Sequence, residues 1–224
     1  MNQNKAIIME EKISVKPVFV YVSLAAAIIG LITFLAGLFI DSGRTWANYL
    51  VGNYYFISLA IGASFFLAIQ YITQSGWSAA FKRIPEAFAA YLPIAGILML
   101  LLYFGFNHLY PWSNPDIVNA DEIIRHKTPY LNVPFWIIRV IVFFGLWILM
   151  TYLLRKESLK EDIEGGLKHF NRSEFYSKVY IFILAITFSL ATFDWTMSIV
   201  TKWFSTIYAA KNFVSAFIHG TALI

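Results

Sequence analysis

The chain has 224 residues, of which 59% are hydrophobic and 13% charged, whereas soluble domains carry roughly a quarter charged residues. Its 17 Lys and Arg against 13 Asp and Glu leave a net charge of +4, and it has no cysteine. That excludes thiolate-held iron–sulfur clusters, covalently attached c-type haem, cysteine zinc sites and disulfides.

A helix crossing a hydrocarbon core of about 30 Å needs roughly 20 apolar residues. Residues 1–17 read as a tail, and the first apolar run is Val18 to Ile40, between Pro17 and Asp41-Ser42-Gly43. It is too long for a signal-peptide core and reads as a retained span. The second span runs from Tyr49 to Thr73, the third from Pro85 to Phe106 and the fourth from Pro134 to Leu154. Residues 155–175 form a charged loop in which helix-spaced pairs, Glu157 with Lys160 and Lys160 with Glu164, extend the fourth helix to Gly165-Gly166. Asn171, with Glu174 three residues on, suits the start of the next helix. The last part, residues 176–224, holds a fifth span from Tyr176 to Ser198, an amphipathic outer segment and the start of a sixth span near Tyr208. That span is still apolar at Ile224, so the chain reads as the front part of a longer protein. The expectation is an all-α, polytopic transmembrane helix bundle with about six spans.

Orientation follows from Lys and Arg in the loops. Lys5, Lys12, Lys16, Lys82, Arg83, Arg155, Lys156, Lys160, Lys168, Arg172 and Lys178 fall on one side; Arg44, Arg125, Lys127 and Lys202 fall on the other. The N-terminus is therefore expected in the cytoplasm, which puts Trp46, Trp112, Trp136 and Trp203 at the outer interface and Trp77 at the inner one. The basic excess is a topology signal, and no nucleic-acid partner is implied.

Small residues mark helix contacts in lipid. Ala26, Gly30, Thr33 and Gly37 share one side of the first helix, and Ser58 and Gly62 form a small-xxx-small pair on the second. Pro93 should kink the third helix by freeing the carbonyl of Ala89. Polar groups at depth usually face the bundle interior. Asn53 and Gln70 suit hydrogen bonds between helices. Glu86 opens the third helix, either as a carboxylate meeting the helix dipole or as the mouth of a proton path. Arg139 lies about 7 Å inside the fourth helix, to snorkel outward or to meet a carboxylate or a polar headgroup. His219, roughly 16 Å past Tyr208, is the deepest ionisable residue. An imidazole there can relay protons, contact a quinone oxygen, ligate haem or bond a hydroxyl. His108, His126 and His169 do not match it in depth, which disfavours bis-histidine haem.

The richest segment runs from Phe193 to Tyr208. Asp194 sits near the end of the fifth helix, and Ile199, Val200, Trp203, Phe204 and Ile207 then recur at helical spacing, with Lys202, Ser205 and Thr206 opposite. This pattern predicts an amphipathic segment lying in the outer interface between two spans. The Asp194-Trp195-Thr196-Met197-Ser198 run, followed by Trp203-Phe204-Ser205-Thr206-Ile207-Tyr208, resembles a signature of the alternative complex III family. The signature belongs to the second of its two large polysulfide-reductase-type (NrfD-like) membrane subunits. The stretches Lys82 to Ala87, His108 to Trp112, and His126 to Phe135 with Arg139 agree with it. The resemblance runs from the second helix onward. In one departure, members often carry an acidic-Pro-His run where this chain reads Val200-Thr201-Lys202; no role of that acid or histidine carries over.

The resemblance implies a multi-pass subunit of a bacterial inner-membrane complex that oxidises quinol. Iron–sulfur clusters and c-type haem would lie in periplasmic partner subunits, beside a sister NrfD-like quinol-binding subunit, with a terminal oxidase as a possible acceptor. This chain itself would bind no metal. Asp194, His219, Glu86 and Arg139 are then the candidates for a proton path or quinone contact, and Trp112, Trp203 and Lys202 for contact with periplasmic partners. Two other readings stand beside it: a secondary transporter or channel, and a purely structural membrane anchor. The transporter predicts internal repeats and a discontinuous helix near mid-membrane, whereas no clear repeat is found and Pro93 is the only strong mid-span interruption. No phosphate loop, nucleophile elbow or His-Glu-x-x-His spacing points to independent catalysis.

Overall fold

The computed structural model describes residues 16–224. Lys5 and Lys12 of the basic count, and nearly all of the expected tail, lie outside the described residues. Among the described residues the regular structure is entirely helical, and five helices are long and apolar enough to cross a membrane. The chain is thus an all-α, membrane-type helical protein, and it divides after Thr45 into two units.

The first unit holds α1 (Pro17–Ile40). Pro17 occupies the first turn, where its missing N–H costs nothing. The helix stops where Asp41 turns extended and bonds back to the Gly37 carbonyl at 2.9 Å. No residue of α1 is buried. A helix apolar on every side with nothing buried suits hydrocarbon as its surroundings. Of the two glycines in the expected small-residue stripe, Gly37 has a close neighbour, since an added methyl would press on the Thr45 hydroxyl, while one at Gly30 would meet nothing.

The second unit is built around α2 (Ser42–Ile72) from Trp46 onward; the helix begins seven residues before the expected Tyr49 and is the most buried of the five long helices, at 67% of its most apolar stretch. The third expected span is one of these five, Arg83–Leu109, but its helix is interrupted: it comprises α3 (Arg83–Ala89), α4 (Leu92–Leu101) and, after a tight turn at Leu102–Gly105, α5 (Phe106–Leu109). Pro93 sits in the first turn of α4, so it starts a new helix. Two short helices follow, α6 (Pro115–Ala120) and α7 (Glu122–Lys127), capped by the side chains of Asn114 and Asp121.

The helices α8 (Val133–Glu164) and α9 (Leu167–Trp195) form a long antiparallel hairpin. Asn132 caps α8 through the Phe135 amide. Gly165 and Gly166, at φ 66° and 74°, make the turn that other residues rarely adopt. The region 155–175 is therefore helix on both sides of those glycines. Asn171 is no cap; α9 already starts at Leu167, and Glu157 turns to His169 instead of Lys160.

The expected outer segment is not a continuous helix. A short turn at Met197–Val200 leads into irregular chain up to α10 (Tyr208–Leu223). Carbonyl partners hold this stretch in place of helix bonding, the Lys127 ammonium reaching the Thr201 carbonyl at 2.5 Å. The expected start of a sixth span corresponds to α10, Tyr208–Leu223. Gly62 and Gly220 let α2 and α10 touch through their backbones: a methyl on Gly62 would collide with the Ala216 carbonyl. That contact bears out the packing role of the Ser58–Gly62 pair.

Candidate functional site

The α8–α9 hairpin fixes the geometry of both ends of the second unit. Arg139 lies 26 residues before Gly165 and Asp194 lies 28 after Gly166, so the arms are about 39 and 42 Å long. Equal arms bring the two side chains together. The Arg139 Nε donates to Asp194 Oδ2 at 2.5 Å, and the residues are 6% and 0% exposed. Arg139 Nη1 also donates to the Tyr130 carbonyl at 3.1 Å. The guanidinium carbon lies 4.1 Å from the centre of the Tyr130 ring and 4.3 Å from that of Phe135, in the corner between two perpendicular rings. Arg139 therefore does not snorkel; it takes the carboxylate partner. Asp194 Oδ1 and Arg139 Nη2 are buried without a protein partner. Burial, with the Asp194 charge next in effect, pushes the Tyr130 hydroxyl up to about 12, so it stays a donor at neutral pH.

More of the sequence converges on this end. The Tyr110 hydroxyl donates to the Trp195 carbonyl at 2.8 Å, and Ser198 donates to the Asp194 carbonyl at 2.6 Å. Trp112 is 3% exposed and packs on Tyr110 at 4.9 Å, so it supports Tyr110 and presents no face to a partner. Trp46 and Trp136 are likewise buried, where an interfacial belt was expected; Trp203 and Trp77 are exposed. Lys202 is paired with Asp121 at 2.5 Å, and Asp121 also caps α7 by accepting from the Ile123 amide at 3.0 Å. The Lys202 ammonium beside it holds the Asp121 carboxyl below its usual range.

At the opposite end Glu86 is buried in the first turn of α3. It accepts from Ser158 at 2.6 Å and from Arg83 at 2.5 Å. Arg83 is shared with Asp162, which also takes Lys82 at 2.7 Å, and Lys82 reaches Glu161 at 3.4 Å. The carboxylate thus meets the α3 dipole and also faces a cleft of about 210 Å³ lined by Pro93, Thr151 and Arg155. Nearby, buried His169 is held between Glu157 at 2.6 Å and Glu164 at 2.8 Å.

His219 joins neither end. It is exposed on α10, 5.5 Å from the Tyr55 ring, in a cleft of about 430 Å³ that also takes in Tyr54, Thr196, Tyr208 and Asn212. Tyr54 donates to Asn212 at 3.1 Å there. Asn53 is oriented toward the Ala95 carbonyl of α4 at 3.5 Å, as expected of an interhelical group, whereas Gln70 bonds locally to Ser75. Among the described residues no three His, Asp or Glu side chains converge to hold a metal ion. No family model matches the chain, and no curated protein matches it.

One feature that the sequence pattern left unused is a buried polar file on α9. Ser173, Ser177, Tyr180, Thr187 and Asp194 recur four, three, seven and seven residues apart, all on the bundle side. Tyr180 shares a hydrogen bond with Ser64 at 2.7 Å, and the Trp147 indole donates to Thr187 at 2.8 Å. The heptad rhythm was readable in the sequence, hidden among many single Ser and Thr residues.

Proposed function

We propose that this chain is a multi-pass membrane subunit of a quinol-oxidising respiratory complex of the alternative complex III type, in a bacterial inner membrane with its N-terminus in the cytoplasm. The observation that carries the reading is convergence. Three stretches on which the family resemblance rests, His108 to Trp112, His126 to Arg139 and Asp194 to Tyr208, meet at one end through Tyr110–Trp195, Arg139–Asp194 and Lys127–Thr201.

In this reading the subunit is a scaffold that binds no metal. Periplasmic partners carry the iron–sulfur clusters and c-type haems and dock over the Asp194 end, where Trp203 is exposed. Quinol is oxidised at the sister NrfD-like subunit, and a terminal oxidase takes the electrons. The chain's own chemistry is to hold protons. Glu86 faces a cleft at one end, Asp194 is buried at the other, and the α9 file lies between them. Leu184 and Ala191 interrupt that file, so a proton passing along it needs water between the hydroxyls. His219 and Tyr55 stand apart as the place where a quinone ring would meet an imidazole.

The test is purification of the tagged chain from its native membrane, followed by quinol oxidation and proton release for wild type and Asp194→Asn. Haem- and cluster-bearing partners should come with it, and Asp194→Asn should lower proton release while assembly persists. A colourless single chain would refute the complex. Unchanged proton release in an assembled Asp194→Asn complex would reduce the subunit to an anchor.

A further inference from the structure

Between α7 and the turn after α9 lies a cleft of about 480 Å³, within the range of about 300–1,000 Å³ usual for small-molecule sites. Its polarity is graded. Leu190 and Phe193 of α9 form the inner wall, and Leu190 lies five residues before the helix end at Trp195, about 7.5 Å deeper by the helical rise. Met197 and the Tyr130 side chain continue the wall. The mouth carries His126, Lys127 and the half-exposed indole of Trp203. His126 and Lys127 are the only charged-type side chains among its lining residues; no carboxylate lines it, though Glu122 lies 3.8 Å from His126 Nε2, so Lys127 is the principal cation of the mouth. Lys127 spends one N–H on the Thr201 carbonyl, and an ammonium has three, so two remain for a ligand oxygen.

An apolar slot reaching into the depth of a spanning helix, with a cationic mouth at its end, matches an amphiphile with one long chain and an anionic oxygen cluster. We propose that this cleft is a phospholipid site: one acyl chain lies against Leu190 and Phe193, and the phosphate oxygens meet Lys127 and His126. Trp203 sits at headgroup level, where indoles settle. The bound lipid extends the wall that covers Tyr130, the residue clamping Arg139. It needs no redox step, and it stands whether or not the respiratory reading does.

Native mass spectrometry of the full chain, with whatever subunits accompany it, provides the test. The protein is delipidated in detergent and supplied with phosphatidylglycerol, alone and against an equal amount of a long-chain quinone. The expected result is one phospholipid held per chain and not displaced by the quinone. Lys127→Gln should weaken retention about tenfold, as loss of one charge-assisted contact does. Leu190→Trp should abolish retention by filling the inner wall; if that variant misfolds, Lys127→Gln decides alone. Equal retention in wild type and Lys127→Gln, or replacement of the lipid by the quinone, would overturn the proposal.

Discussion

The two ends of the α8–α9 hairpin handle charge in opposite ways. At the Asp194 end a single carboxylate faces a single guanidinium, both almost fully shielded from water, and each keeps one polar atom without a protein partner. At the Gly165 end the charges are shared: Glu86 and Asp162 both use Arg83, and Asp162 and Glu161 both use Lys82. Arg83 and Asp162 are also nearly half exposed. A lone buried pair concentrates the cost of losing one member, because the survivor is left charged and dry. A shared, wetted network spreads it.

The largest expected effect breaks the first arrangement. Asp194→Ala or Arg139→Ala should each destabilise the protein by about 3–5 kcal/mol, measured by denaturant unfolding in detergent micelles. The double variant should cost less than the sum, since removing both members leaves no unpaired charge. Additive single effects would show that the two side chains do not depend on one another.

The second end sharpens the contrast. Glu86→Gln keeps an acceptor for Ser158 and leaves Arg83 its bond to Asp162. Its cost should be about 1 kcal/mol, the scale of one ordinary hydrogen bond, in the same unfolding assay. A loss as large as that of Asp194→Ala would mean that Glu86 has no effective substitute partners.

What the sequence could convey divides along the same line. Long apolar runs and the paired glycines at 165 and 166 announced the spans and the hairpin turn, because hydrophobic length and positive φ are local properties. Arg139 was singled out for its cost at depth and Asp194 for its place in the Phe193–Tyr208 segment, yet their pairing, 55 residues apart, depended on the two arms being nearly equal in length. That signal was present but needed the helix boundaries first. The failures came where tertiary bonds overrode a pattern. Residues 199–207 have helical spacing, but beyond Val200 the chain is irregular, where a Lys127 bond to the Thr201 carbonyl and the Lys202–Asp121 pair tie it down. Tryptophans read as an interfacial belt turned inward at positions 46, 112 and 136, since composition gives an indole's depth and not the side of the helix it faces. Lys202, named as a candidate contact for a partner, is exposed and also pairs with Asp121.

That last pair supplies the smallest expected effect and an ionic control for the buried one. Lys202 lowers the Asp121 carboxyl below its ordinary value of about 3.9, so the tie is fully present above that pH and is lost as pH falls through the still lower folded-state value. At pH 7, Lys202→Ala should therefore loosen α7, seen as faster amide exchange at Ile123 and Ile124 relative to wild type. In acid well below pH 4 the two proteins should exchange alike, after correction for intrinsic rates. Salt should erase the same difference, because screening at 1 M acts within about 3 Å and the Lys202 side chain is 62% exposed. The coupling between Arg139 and Asp194, sealed from mobile ions, should persist in that salt. If both respond alike, the buried pair is wetter than its geometry implies and its large cost on truncation should shrink with it.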